Sequence, residues 1–238
     1  MHCFAQHDNG RRWGWAKGRE VAAVYLATVL AILGIRWSGL TAWWTTPAIL
    51  IAAGIVPFLA RRQSPPAILR VETICRDLGL TVCTSLAILP LTYLAIGLLT
   101  RLGIAMPFAQ ARPSNYAVWV LYQFLYTAVA EEVFFRGYLL SNALKVFKTA
   151  KSQHPTANIG LPGRNQHSAF CIQHLPPIVL SAACFALAHA VLQGQAAGLL
   201  TFLPGLVLGW LFVRTRTLVS PILFHGLANV FWQLAISR

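Results

Sequence analysis

Acidic residues are scarce in this chain: six Asp and Glu among 238 residues, against 19 Lys and Arg. Charged residues of both signs make up 11% of it, where soluble domains carry about 25%. That shortage excludes an ordinary water-covered surface. Cysteine is equally uninstructive as a framework. Cys3, Cys75, Cys83, Cys171 and Cys184 are odd in number and form no Cys-x-x-Cys pair, so neither a disulfide scaffold nor a zinc ribbon is indicated. No His-Glu-x-x-His occurs, which removes the usual helical zinc-protease signature. No internal repeat is detectable. The basic start before Val21 is followed by no convincing small-residue cleavage site, so the first apolar stretch reads as a retained span.

What is present is apolar. Hydrophobic residues reach 57% and mean hydropathy is +0.61. They fall in long runs over Val21–Ile35, Trp43–Ala60, Gly79–Leu99, Tyr116–Ala130, Ile178–Leu192, Ala196–Val213 and Leu218–Ile236. Several approach the roughly 20 residues that cross a hydrocarbon core. Helices are the default there, because an open sheet edge in lipid leaves backbone groups unpaired. The expectation is an all-α, polytopic transmembrane bundle of about seven helices, within a range of six to eight. Residues 1–115 read as anchoring helices with a basic loop. Residues 116–238 read as a membrane core, interrupted by a polar insertion at about 150–177 that holds His154, His167 and His174. The pattern from Tyr116 to Lys148 is too long for one perpendicular span and should tilt or continue past the surface.

The net charge of +13 invites a nucleic-acid reading, but its distribution argues against one. With the N-terminus inside, 14 Lys and Arg fall in inside segments and four outside (Arg36, Arg101, Arg112 and Arg238), with Arg136 within or near a span. This is the positive-inside asymmetry. The partner implied is the lipid bilayer, with no nucleic acid, and the expected location is a bacterial inner membrane with a cytoplasmic N-terminus.

Asp8, Glu20, Glu72 and Asp77 lie in or beside polar segments, where charge costs little. Glu131 and Glu132 do not. They follow the apolar run 119–130 and precede Val133, Phe134 and Phe135. Insertion scales put a carboxylate at such depth at about 2.5–3.5 kcal/mol, so it marks a functional site unless the pair merely ends the span. Glu132 stands four residues before Arg136, the favoured ion-pair orientation, which leaves Glu131 facing elsewhere as a candidate general base. Two further constellations lie in later spans: Phe185-Ala-Leu-Ala-His189 and His225-Gly-Leu-Ala-Asn229, each with its ends on one helical face. Singly, such a histidine is usually a structural hydrogen-bonder. Together, Glu131, His189, His225 and Asn229 are polar groups deep in three spans that could surround one cavity.

These residues resemble the CAAX-protease and bacteriocin-processing family of intramembrane glutamate proteases, also called the ABI family. Its pattern is Glu-Glu-x-x-x-Arg, then Phe-x-x-x-His, then His-x-x-x-Asn, and the flanks from Gly205 to Thr215 and Leu218 to His225 agree with it. The resemblance implies an intramembrane endopeptidase acting on the tail or leader of a membrane-associated protein or peptide. It implies that Glu131 with His189 activates water, that His225 and Asn229 stabilise the oxyanion, that Glu132 and Arg136 hold the helix, and that Phe185 packs beside the site. It points to no cofactor. Two departures stand out: the long polar insertion, and Arg216 where the family commonly has glycine.

Three competing readings remain. A Glu and two His form a legitimate zinc set with water in the fourth position. A non-proteolytic immunity or scaffold role is also covered by the family, though the intact site residues argue against it. A proton-coupled transporter would use the same groups as a relay, but the inverted repeats common in that class are not detectable.

Overall fold

The computed structural model describes residues 2–40, 42–102, 114–152 and 166–236. They form seven helices, with no strand among the described residues. α1 is His2–Trp37 and α2 is Thr45–Ala60. A short 3-10 turn, Val71–Thr73, leads into α3, Ile74–Arg101. α4 runs over residues 116–152, α5 is Gln166–Gln193, α6 is Phe202–Thr215 and α7 is Val219–Ile236.

Each apolar run of the sequence lies in or leads into one of these helices, Ala196–Val213 entering α6 through a 3-10 segment, Ala196–Thr201. Among the described residues, five segments are long and apolar enough to cross a membrane: Trp15–Trp37, Val71–Leu98, Tyr116–Thr149, His174–Gln193 and Ala196–Thr215. The chain is an integral membrane protein. Their outer faces are apolar as well. On α3, Val82, Leu86, Leu91, Leu94 and Leu98 are all exposed, which suits a helix solvated by lipid. α2 is shorter, 16 residues or about 24 Å, against a hydrocarbon core of about 30 Å.

α4 is the central element. It packs against α1, α2, α5, α6 and α7, while α3 packs on α7. It is continuous but not uniform. An α-helical start, Tyr116–Tyr122, gives way to a π-helical stretch at Gln123–Ala128. One α-turn at Val129–Glu132 follows, then a second π-helical stretch at Val133–Leu140, then α-helix over Ser141–Ser152. Such widened turns recur at functional sites, and here they flank the paired acids. The last segment continues the helix past the apolar run and carries Lys145, Lys148 and Lys151.

Two sequence expectations need correction. The polar stretch 150–177 is not all connector: α5 begins at Gln166, with Pro176 and Pro177 inside it, and residues 153–165 lie outside those described. Nor does charge cost little at Asp77, which is fully buried. Its carboxylate accepts from Thr73 Oγ1 (2.9 Å), Arg76 Nη2 (3.0 Å) and Thr217 Oγ1 (3.2 Å), and its carbonyl accepts from Ser220 Oγ (3.2 Å). Beside it, the backbone N–H groups of Leu218 and Val219 donate to Ala67 and Ile68. Asp77 thus clamps the start of α3 to the α6–α7 turn. Glu20 is similarly engaged, accepting from Lys17, Arg61 and the Tyr138 hydroxyl.

Arg216 occupies that same α6–α7 turn at φ 61°, ψ 21°. This is the left-handed conformation for which glycine is preferred at helix ends. The turn keeps the glycine-type geometry, and an arginine adopts it.

Candidate active site

α4 presents its two acids to different neighbours. Glu132, fully buried, accepts from Arg136 Nη1 at 2.9 Å through Oε1. Arg136, also fully buried, donates to the Gly205 carbonyl at 3.2 Å and lies over the Phe185 ring, 4.5 Å from its centroid. A guanidinium at this depth is therefore held by a carboxylate, a helix carbonyl and an aromatic face. The Glu132–Arg136 pair expected from the spacing is present.

Glu131 faces the other way, toward two imidazoles. Its Oε2 is 3.7 Å from His189 Nε2 and 3.6 Å from His225 Nε2. The oxygen is buried and has no hydrogen-bond partner. These separations are just beyond direct hydrogen bonds, and all three atoms converge on one small volume.

The partners on the far side of each ring assign its tautomer. His189 Nδ1 lies 3.0 Å from the Phe185 carbonyl, which can only accept, so Nδ1 carries the proton and Nε2 of the neutral ring is an acceptor. His225 Nδ1 lies 2.8 Å from Glu132 Oε1 and donates to it. One imidazole therefore spans both acids, Glu132 through Nδ1 and Glu131 through Nε2. Phe185 fixes the pair from the side, its ring 4.3 Å from that of His189 and 5.8 Å from that of His225.

Counted from the helix ends, the two histidines belong at different depths. Both nonetheless bring Nε2 to within 3.7 Å of Glu131 Oε2. After Gln193 the chain turns at Gly194 (φ 67°), and the 3-10 segment Ala196–Thr201 folds back over the last turns of α5. Gly198 makes the approach possible: a Cβ there would stand 2.5–2.7 Å from backbone atoms of Ala190 and His189.

Asn229 is placed one turn beyond His225, where its Nδ2 donates to Gln123 Oε1 at 3.0 Å. Gln123 belongs to the first π-helical stretch of α4 and was not anticipated. Its signal was available, since it is the single amide between Tyr116 and Ala130. Among the described residues, no group of three or more His, Cys, Asp and Glu side chains is arranged to hold a metal ion.

Glu131 also lines a cavity of about 550 Å³, walled by the end of α1, the start of α2 and the first half of α4. Ile32, Thr46, Leu50 and Thr127 contribute to its sides. A carboxylate flanked by two imidazoles at the edge of such a cavity is chemically able to hold and polarise a water.

Compared with models of known protein families, residues 113–231 match Rce1-like, the type II CAAX prenyl endopeptidase Rce1-like family. The chain belongs to this family. The resemblance read from the three motifs is borne out, and membership makes the chain an intramembrane endopeptidase of the CAAX-protease kind. The Rce1-like region spans half of the chain, from just before α4 to most of α7, and so includes Glu131, His189, His225 and Asn229. α1, α2 and α3, which supply much of the cavity wall and the Asp77 clamp, lie outside it. Neither the comparison with curated proteins nor that with solved structures found a match.

Proposed function

We propose that the chain hydrolyses a peptide bond in the tail or leader of a membrane-associated protein or peptide, with Glu131 as general base and no metal. The observation that carries this reading is the convergence of His189 Nε2 and His225 Nε2 on the same unpartnered oxygen of Glu131.

Proton bookkeeping gives each group a part. A water held between Glu131 and neutral His189 finds two acceptors for its two hydrogens. Its oxygen attacks the scissile carbonyl carbon while one proton passes to Glu131, so a C–O bond forms and the carbonyl oxygen becomes an oxyanion. His225 in its imidazolium form, with Nδ1–H on Glu132, carries a second proton on Nε2 and donates it as a hydrogen bond to that oxyanion. Asn229 supplies a further N–H, with Gln123 fixing the amide's orientation. Collapse breaks the C–N bond, and the proton held by Glu131 goes to the leaving nitrogen. The enzyme returns to its starting state without a covalent intermediate. Glu132 and Arg136 balance the buried charge, and Phe185 orients both rings.

The location proposed is a bacterial inner membrane with the N-terminus cytoplasmic, from the basic-residue asymmetry. The test is cleavage of candidate tail-bearing substrates in cells, comparing wild type with Glu131→Ala and Glu131→Gln at matched expression, with and without a chelator. Processing that needs Glu131 and ignores the chelator supports the reading. Loss on chelation moves the site to zinc, and processing by both variants moves the chain to the scaffold role.

A further inference from the structure

The site has two sides, and they differ. Toward one end of the bundle, the space beyond Glu131 is filled. Glu132 and Arg136 are fully buried, and Phe134, Phe135, Tyr138 and Leu139 are each 3% exposed or less, within one core cluster with Phe58. Toward the other end lies the cavity, whose wall is made by the last turns of α1, the first turns of α2 and the first half of α4. Depth alone does not separate the two directions. Gly54 of α2 is level with Val133, so Glu131 lies about 10–14 Å below Thr45 by helical rise, and Tyr138 lies about 10 Å further along α4 from Glu131. Packing is what distinguishes them.

Contacts between helix ends show which termini share a side. Arg61, after α2, pairs with Glu20 of α1, which also accepts from Tyr138 of α4, and Ala67 and Ile68 pair with the α6–α7 turn. At the opposite end, Arg36 of α1 donates to the Leu192 carbonyl of α5, and the Tyr122 hydroxyl of α4 donates to the Trp43 carbonyl. The filled end is the basic one, with Lys17, Arg61, Arg62, Arg70, Lys145 and Arg214. Among described residues the cavity end holds Arg36 and Arg101. Trp43, Tyr122 and Tyr126 cluster at the cavity end, with ring centroids 4.8–6.3 Å apart, where aromatic side chains favour a membrane–water interface. Basic residues concentrate on the cytoplasmic side.

We infer that the cavity of Glu131 opens to the non-cytoplasmic face, so that the substrate is a membrane-anchored polypeptide whose cleaved segment lies outside the cytoplasm. This rests on the endopeptidase reading of the site and narrows its substrate class. A cytosolic tail would have to pass the Glu132–Arg136 pair and the Phe134–Leu139 layer to reach Glu131. A translocated tail meets a cavity whose lining, among the described residues, carries two charged side chains, Arg36 and Glu131.

The test labels the full chain with a membrane-impermeant maleimide, in right-side-out and in inside-out vesicles. Thr127→Cys stands on the cavity wall one turn before Glu131, and Gln63→Cys stands on the exposed basic end. The unsubstituted chain gives the background of its own cysteines. Thr127→Cys should react at least about tenfold faster from the non-cytoplasmic face and Gln63→Cys from the cytoplasmic face, since reactivity follows access. Reaction of Thr127→Cys only from the cytoplasmic side, or from neither side while Gln63→Cys reacts, overturns the inference. In parallel, one anchored reporter is made with its cleavable tail on either side of the membrane. Cleavage of the non-cytoplasmic form alone supports the inference, and cleavage of the cytoplasmic form alone overturns it. Labelling needs no catalysis, so expected labelling with neither reporter cut tells against the endopeptidase reading, whereas cytoplasmic labelling with cleavage tells against the sidedness.

Discussion

Residues 15–102 and residues 116–236 are built from similar apolar helices, yet they place their polar groups differently. In the second region, Glu131, Glu132, Arg136, His189 and His225 point at one another in the middle of the bundle. In the first, Glu20 and Asp77 sit near the basic end and tie elements together, Glu20 to Arg61 and Tyr138, Asp77 to Thr217. The first region holds no group that contacts Glu131 by hydrogen bond or ion pair among the interactions described, but it walls the cavity that leads there. The part that matches the Rce1-like family holds the converging acids and imidazoles, and the other part supplies much of the cavity wall beside them.

That division can be broken from either side. The largest effect is expected from His189→Ala or His225→Ala, which should each lower kcat by about 10²–10⁴ with KM little changed, read from steady-state cleavage of an identified substrate. A rise in KM with kcat unchanged would place these rings in binding rather than chemistry. Next is Arg136→Met. It leaves the fully buried Glu132 carboxylate with His225 but without its guanidinium and should cost about 3–5 kcal/mol, measured as unfolding in detergent, with partial recovery in the Arg136→Met/Glu132→Gln double variant.

A smaller loss is expected from the anchoring half. Asp77→Ala removes the acceptor shared by Thr73, Arg76 and Thr217 and should destabilise by about 1–3 kcal/mol. Asp77→Asn, which keeps one acceptor oxygen, should recover part of it. The smallest effect is a gain. Arg216→Gly relieves a left-handed residue and should stabilise by about 1 kcal/mol, visible as a raised unfolding midpoint.

The sequence already made much of this legible, and the pattern of what it hid has a physical cause. Glu131, His189 and His225 could be found because an ionisable group deep in an apolar run has few reasons to be there. Glu132 and Arg136 could be paired because they are four apart on one helix. Asp77 could not be understood the same way: it sits beside Arg76 in a basic stretch and looks solvated, while its partner Thr217 is 140 residues away. Gln123 is separated from Asn229 by 106 residues, and an isolated amide in a span is a weak signal. The convergence of His189 and His225 on one Glu131 oxygen joins three helices, which residue counts along ideal spans cannot represent. Arg216 lies between these cases. Its departure from the family's glycine was visible in the sequence, and the left-handed turn explains why glycine is usual there.

The most direct test of the central claim is single-turnover cleavage by the purified protein in lipid nanodiscs, comparing wild type with Glu131→Gln after matched unfolding curves confirm that both are folded. If Glu131 activates the attacking water, the glutamine variant should lose at least about 10³-fold in rate while still binding substrate. A Glu131→Gln protein that cleaves within a few-fold of wild type would contradict the account.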